Sequence, residues 1–466
     1  MCAVSDWLSI IPPLLAIIVV FWRKEVIGAL LIALFSSELL LMFTPQTEGN
    51  ALFGGFIGTL ERIVEVFSSA GNTRILIFSL LVGALLAYMR HSGGVTALVN
   101  KLVNANVASN GKRASLMAFI TGVVVFIESN LSVLTAGIVS RGLFDKFKLS
   151  RARLAYIIDS TSAPICILIL LNGWGAYVLG LLDNYELPDT SVSVLIGTIP
   201  LNFYALFTLA IVLFTIFSNK TFGPMAKADA EALTMHHSEE LQTHEHGKAR
   251  FMLLPLATMV IGMIGFMLWT GNGELTQGSG SKSVLYATAL ACLLAYFMML
   301  FSGRYQHKDL VKIGFDGMSE LLPLVCIVLL SLALGSSLKL LGTGVFISGL
   351  VADNLPLFSI PAILFLAGGL ISFTTGTSWG TFAILIPIGM PLVINLGLPP
   401  ELVLAAILGG GVFGDHCSPI SDTTAVSSLA SGCDLLEHVQ TQIPYALFAG
   451  SLTLLAYLLA GLLTIG

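Results

Sequence analysis

The sequence predicts an all-α, polytopic membrane protein built as an inverted-topology repeat, with two re-entrant hairpins and two broken helices. Three observations carry this. First, 56% of the 466 residues are hydrophobic and only 11% are charged, where a soluble domain carries roughly 25%. Second, a mean hydropathy of +0.91 leaves too few Lys, Glu and Asp residues to cover a water-facing surface. Third, the basic residues crowd into a few loops whose order has the parity of an inverted repeat. A cytosolic enzyme, a secreted module and a disordered chain are excluded. At about 20 residues per span the chain has room for roughly ten to fourteen membrane segments.

The apolar runs, in order, are 7–22, 26–43, 73–89, 114–140, 154–182, 192–217, 251–270, 283–302, 321–342, 360–388, 402–432 and 443–465. The first has its basic residues, Arg23 and Lys24, after it rather than before it, and it lacks a small-residue cleavage site. It reads as a retained span rather than a signal peptide. The segment 51–69 is shorter and amphipathic, which suits the membrane interface. The polar stretch 218–250, with His236, His237, His244 and His246, reads as a cytoplasmic linker between a first membrane half, 1–217, and a second, 251–466. A His-rich tract can bind metal or sense pH, but a solvated linker is the simpler reading. The six cysteines include no C-x-x-C pair and read as small buried residues.

Of the 22 Lys and Arg residues, 18 lie in five loops, around 23–24, 90–113, 141–153, 220–250 and 304–312. Positive charge favours the cytoplasmic side, so all five belong inside, while the loop at 183–189, with none, belongs outside. The loops 90–113 and 141–153 can both be inside only if 114–140 enters the membrane and returns. Its 27 residues are too few for two crossings at 1.5 Å per residue. It is predicted to be a re-entrant hairpin with its tip at Glu128-Ser129-Asn130. The loops 343–359 and 389–401 carry no Lys or Arg. By the same logic 360–388 is a hairpin entering from outside, with its tip at 374–378. Each hairpin precedes an apolar segment interrupted by an acid and a proline: Asp159 with Pro164, and Asp415 with Pro419. Matching order with opposite orientation is the plan of a secondary transporter.

A carboxylate at the bilayer centre costs about 2.5–3.5 kcal/mol on the mildest scale, yet Glu128, Asp159, Asp415 and Asp422 all fall in apolar runs. The runs show no evident Lys or Arg partner, so these acids must be protonated or hold a cation. Pro164 and Pro419 each deny a hydrogen bond to the carbonyl four residues back, at Ser160 and Asp415. A helix broken there would offer carbonyls, carboxylates and hydroxyls to a hard cation such as Na+. Predicted cation ligands are Asp159, Ser160, Thr161, Ser129, Asn130, Asp415, Ser418, Thr375, Thr377 and Ser378. Predicted proton or substrate groups are Asp159, Asp415, Asp422, Glu128 and His416. The small polar residues at the tips also suit close helix packing. Trp174 and Trp379 read as lipid-facing, interfacial or packing residues. There is no P-loop, dinucleotide fingerprint, zinc spacing or catalytic triad, so neither an enzyme nor an ATP-driven pump is expected.

The stretch Gly414-Asp415-His416-Cys417-Ser418-Pro419-Ile420-Ser421-Asp422-Thr423-Thr424 resembles the signature of the NhaC-type sodium/proton antiporter family, grouped with the ion transporter superfamily. Leu154 to Pro164, with Trp174-Gly175-Ala176-Tyr177 downstream, resembles its first-half counterpart, and Thr375 to Pro387 is similar as well. The resemblance implies two hairpins and two broken helices meeting at mid-membrane, exchange of Na+ for H+, and the broken-helix acids as carriers. One position departs from it: family members often show paired aspartates in the first hairpin, and here Ile127-Glu128-Ser129 holds a single Glu.

The expected function is a secondary active transporter exchanging Na+ for H+ by alternating access. The alternative is Na+-coupled transport of an amino acid or small organic acid, and an uncoupled channel is a third reading. No cofactor is expected beyond Na+ as the transported ion. The expected partners are Na+, H+, the lipid bilayer and, in the alternative reading, an organic solute. Nucleic acid is excluded and a homodimer is left open. The expected location is the inner membrane of a prokaryote.

Overall fold

The computed structural model describes residues 6–43, 50–94, 97, 110–126, 128–233 and 248–466. The four loop histidines, Lys101 and Cys2 lie outside the described residues. Within them the chain is helical, with no strand. In chain order the helices are α1 (Ile11–Arg23), α2 (Val26–Leu41), α3 (Ala51–Glu65), α4 (Ala70–His91), α5 (Gly111–Val124), α6 (Ser129–Lys146), α7 (Arg151–Leu168), α8 (Gly173–Leu182), α9 (Ser191–Gly197), α10 (Phe203–Ser218), α11 (Pro224–Ala232), α12 (Arg250–Thr270), α13 (Gly280–Leu300), α14 (His307–Leu341), α15 (Thr343–Asn354), α16 (Ile360–Thr375), α17 (Ser378–Leu396), α18 (Pro400–Cys417), α19 (Asp422–Ser431) and α20 (Leu435–Thr464). Eight described segments are long and apolar enough to cross a membrane, or ten if each of two bent pairs counts as one span. Phe214, Trp269, Phe301 and Leu463 are exposed on the outside, as expected where lipid rather than water is the solvent.

Where hairpins are predicted the chain forms helix pairs, α5–α6 and α16–α17, and each helix of the second pair is long and apolar enough to cross a membrane by itself. The first extends beyond 114–140, to 111–146. Its turn ends at Glu128, the N-cap of α6, whose carboxylate accepts from the N–H groups of Asn130 and Leu131 at 2.9 and 2.7 Å. The second turns at Gly376, which has φ 68°, a left-handed conformation that glycine adopts without steric cost.

The interrupted segments are also present, as α7–α8, bent by 44°, and α18–α19, bent by 48°. The first break is not where the sequence places it. Helix α7 runs through Asp159 and Pro164 to Leu168, and the chain departs from helix only before Asn172. A proline removes one backbone hydrogen bond and kinks a helix without ending it when buried neighbours hold the flanking turns, and residues 152–167 of α7 are all buried. In the second half the break falls directly after Asp415, at 418–421. The Asp415 carbonyl is not left free there: the Ser418 N–H reaches it at 3.1 Å and the Thr424 hydroxyl at 3.5 Å.

Helix α16 packs along α18 through glycines. A Cβ on Gly414 would strike the Gly369 carbonyl, and one on Gly410 the Phe365 carbonyl, so small residues set this approach. Two further features differ from expectation. The first apolar helix, Trp7–Arg23, and α2, Val26–Leu41, are shorter than the eight long spans and reach about 25 and 24 Å at 1.5 Å per residue, against a hydrocarbon core of about 30 Å. And an acid in an apolar run does have a cationic partner: Glu38 of α2 pairs with Arg62 of the amphipathic α3 at 2.8 Å, both side chains largely buried.

Candidate functional site

The two hairpin turns and both bent pairs meet in the interior. Between them lies a cavity of about 280 Å3, walled by Glu128, Ser129 and Asn130 from the first tip and Thr377, Ser378 and Trp379 from the second. Gly173 and Trp174 line it from the first bent pair, and Asp415, Asp422 and Thr423 from the second. Helices α4 and α14 close it with Phe78, Ser79, Val82, Glu320 and Leu324, among others.

Local sequence explains this convergence. Helices α6, α8, α17 and α19 all begin at the cavity. Each has a side-chain N-cap: Glu128 on α6, Asn172 on α8, Thr377 on α17 and Ser421 on α19. Asn172 also ties the first bend to the first hairpin, because its amide donates to the Phe126 carbonyl at 3.0 Å and the Cys166 carbonyl at 2.7 Å. Ser418 does the same for the second half, donating to the Phe373 carbonyl at 2.7 Å.

The acids are held differently. Asp415 is buried, with Oδ1 accepting from the Ser421 hydroxyl at 2.9 Å and Oδ2 from the Thr423 hydroxyl at 3.0 Å. Asp422 opens helix α19 and is close enough to Asn130, Asp415 and Glu128 to interact electrostatically. Glu320 also lines the cavity, but it is paired with Arg90. The aromatic wall is continuous. Trp174 and Trp379 have ring centroids 5.4 Å apart, and Tyr177 stacks on Trp379 at 4.8 Å with its hydroxyl on the Trp379 carbonyl at 3.0 Å.

Of the residues singled out from sequence, the structure brings Glu128, Ser129, Asn130, Thr377, Ser378, Asp415 and Asp422 to this cavity. Asp159, Ser160, Thr161, His416, Ser418 and Thr375 are not in its wall. The hydroxyls of Thr161 and Thr375 are taken by carbonyls of their own helices, Ile157 at 2.7 Å and Ile371 at 2.9 Å. Asp159 sits in a second buried polar cluster behind the cavity. Its Oδ2 accepts from the Gln442 amide at 2.6 Å and lies 3.3 Å from His438 Nε2. The same Gln442 amide donates to the His416 carbonyl at 2.9 Å, and His416 Nδ1 lies 3.0 Å from the Tyr204 hydroxyl.

Sequence reasoning missed His438, Gln442 and Tyr204. A signal existed for the first two. His438 and Gln442 are four residues apart, hence on one face of a helix, just before the apolar run at 443–465. Of the readings offered for Trp174 and Trp379, packing is the one that holds: Trp174 is buried, the two rings pack on each other, and both residues line the cavity.

A helical, multi-pass membrane protein whose helix turns and bent helices line an acidic cavity has the architecture of a transporter rather than of an enzyme. The sequence profile of the Na+/H+ antiporter family matches residues 165–462, and the chain belongs to that family. It is 31% identical over 484 aligned residues to an uncharacterized protein of Haemophilus influenzae, covering 98% of this chain and 91% of that one. It is 32% identical over 186 residues to the malate-2H(+)/Na(+)-lactate antiporter of Bacillus subtilis, over 37% of each chain. Its fold is similar to that of the Alcanivorax borkumensis YdaH transporter, with a TM-score of 0.62 at 14% identity, covering 96% of this chain and 97% of that one.

Proposed function

We propose that this secondary transporter exchanges Na+ for H+ across the cytoplasmic membrane of a prokaryote by alternating access, and that the cavity between the hairpin tips is where the ions bind. The observation that carries this is the meeting of Glu128, Asp415 and Asp422 in one cavity whose wall, among the described residues, holds no Lys, Arg or His. A carboxylate taken out of water is costly unless it is neutralised. Na+ and H+ are alternative ways of neutralising it, and that makes them exchange. The Ser and Thr hydroxyls at the tips and around Asp415 are hard oxygen ligands of the kind Na+ accepts. Residues 1–217 and 251–466 form the two halves of an inverted repeat, joined by a cytoplasmic linker at 218–250. Rocking of one half against the other exposes the loaded site to each side in turn.

In this reading Asp159 does not bind the ion directly. It fastens α7 to α20 through Gln442, and Gln442 also grips α18 at His416, next to Asp415.

A second reading, Na+-coupled movement of an amino acid or small organic acid, is favoured by the size of the cavity. At about 30 Å3 per water, 280 Å3 exceeds what one cation and its ligands occupy. Purified protein in proteoliposomes with a pH dye inside separates the readings. Na+ alone drives proton flux if exchange is the activity. Flux that needs an organic solute supports the second reading, and Na+ conduction without either leaves neither standing.

A further inference from the structure

We propose that a second cavity, at the end of the molecule away from the basic loops, holds one phospholipid whose headgroup carries both a phosphate and a primary ammonium group. The proposal does not depend on what passes through the cavity between the turns.

Place in the fold is the first argument. This cavity has a volume of about 370 Å3 and lies between α14, α15 and α17, with Tyr185 and Glu186 of the turn after α8 on its remaining side. Its α14 wall is the C-terminal end of that helix, from Gly335 to Gly342, and its α17 wall runs from Pro387 to Asn395. Each stretch rises about 10–12 Å at 1.5 Å per residue. Helix α14 starts beside the basic residues Lys308 and Lys312 and is 35 residues long, so the cavity lies across the membrane from them.

The way it opens is the second argument. Most of the wall is apolar, with Leu338, Val345, Ile347, Ile388 and Ile394 among its residues. Val345 is 68% exposed and Ile394 44% exposed. The cavity therefore opens sideways, onto the surface whose solvent is lipid. An acyl chain can leave through that opening and continue along the exposed apolar side chains, and a small water-soluble solute gains nothing from it. The volume is within the range for organic ligand pockets, roughly 300–1,000 Å3.

Charge selects the headgroup. The wall holds one cation, Lys339, and one anion, Glu186. Both are exposed, and neither is in an ion pair among the described residues. A Lys in the last turn of a membrane helix lays its methylenes along apolar surface and holds its ammonium at the interface, the level of lipid phosphates. A phosphate answers Lys339 and an ammonium answers Glu186, each by a charge-assisted hydrogen bond. The Tyr185 hydroxyl, without a hydrogen-bond partner among the described residues, can donate to the same phosphate or to an ester carbonyl. A glycerol headgroup supplies no cation to Glu186 and brings a net negative charge to it. A choline headgroup supplies a cation with no N–H to donate. Phosphatidylethanolamine supplies both parts.

The test uses the full-length protein, purified in detergent and presented with equal amounts of phosphatidylethanolamine, phosphatidylglycerol and phosphatidylcholine bearing the same acyl chains. Native mass spectrometry reads which lipid stays bound. One phosphatidylethanolamine should be retained, about tenfold more tightly than either of the others, the worth of one charge-assisted hydrogen bond. Lys339→Gln should weaken its retention by about the same factor. Glu186→Gln should remove its advantage over the other two lipids. Each variant tests the site by itself, so failure of one to fold leaves the other to decide. Phosphatidylglycerol or phosphatidylcholine held as tightly as phosphatidylethanolamine by the unaltered protein overturns the proposal. A preference for phosphatidylethanolamine that survives both substitutions also overturns it, because the lipid would then lie elsewhere.

Discussion

Asp159 and Gln442, on α7 and α20, are joined by a 2.6 Å hydrogen bond from the Gln442 amide, which also holds the His416 carbonyl of α18 at 2.9 Å. One side chain thus locks three helices behind the cavity. An average interhelical hydrogen bond in a membrane protein is worth only about 0.6 kcal/mol. Here a buried carboxylate loses its shortest partner and a carbonyl is left short, so Gln442→Leu should cost about 1–3 kcal/mol. Thermal unfolding in detergent measures it. An unchanged midpoint would mean that this amide does not fasten the helices.

The same geometry separates two acids that the sequence weighs alike. Asp415 faces the cavity with Ser421 and Thr423 on its oxygens, whereas Asp159 faces the cluster behind it. Asp415→Asn should abolish Na+-driven proton flux and weaken Na+ binding by about 10–100-fold, the worth of a charged, hydrogen-bonded partner. Asp159→Asn should lower stability and slow flux while Na+ binding falls far less. Radiolabelled Na+ binding beside dye-monitored flux distinguishes them, and equal losses of affinity would return Asp159 to the ion site.

What was legible in the sequence follows from what is expensive in a bilayer. Loop charges and isolated acids carry large energetic penalties, so the turns near 128–130 and 374–378 could be placed by counting. The position of the first break could not. Pro164 marks a lost hydrogen bond, but whether the helix ends there depends on packing from distant segments, and α7 is buried on every side. Gln442 and His438 were hidden for a similar reason: they are 279 or more residues from Asp159, and no local pattern announces such a contact. The Trp174 and Trp379 rings look the same in sequence whether they face lipid or a cavity.

The Glu38–Arg62 pair offers a test of burial. Breaking a buried ion pair leaves an uncompensated charge and typically costs about 3–5 kcal/mol, while replacing both partners is often nearly neutral. Arg62 is the more exposed partner, at 15% against 7% for Glu38, and also meets Glu65, so Arg62→Gln should cost about 3 kcal/mol, at the low end of that range. The double variant Glu38→Gln/Arg62→Gln should regain most of it. A double variant no more stable than the single one would show that Glu38 is not stranded by the loss of Arg62.

Glycine packing between α16 and α18 predicts a contrast. Gly414→Ala would press a methyl group onto the Gly369 carbonyl and Ser372, an overpacking that typically costs about 1–3 kcal/mol. Gly349 on α15 has nothing within 4 Å of where a Cβ would stand, and Gly349→Ala should be neutral or stabilising by about 0.5–1 kcal/mol. Melting the two variants side by side checks this, and equal effects would remove the case for close approach at Gly414.

The last prediction concerns which ends of the molecule face which side. Asn72 at the start of α4 meets Asn184, after α8, at 3.3 Å, so these turns share one end. At the other end Lys112 donates to the Phe217 carbonyl at 2.8 Å and Arg153 to Asn219 at 2.9 Å, drawing the basic loops around 112, 153 and 219 together. Positive charge is retained on the cytoplasmic side, so that end should be inside and Asn184 outside. Lys146 belongs to the basic end, as the last residue of α6. In a background with the native cysteines replaced, Lys146→Cys should react with a membrane-impermeant maleimide only from the cytoplasmic side, and Asn184→Cys only from the outside. Both positions are exposed, so a failure to react from the expected side would not be a matter of access. Labelling of both from one side would overturn the assignment of the loops, and with it the opposite orientation of the two helix pairs that the proposed alternating access requires.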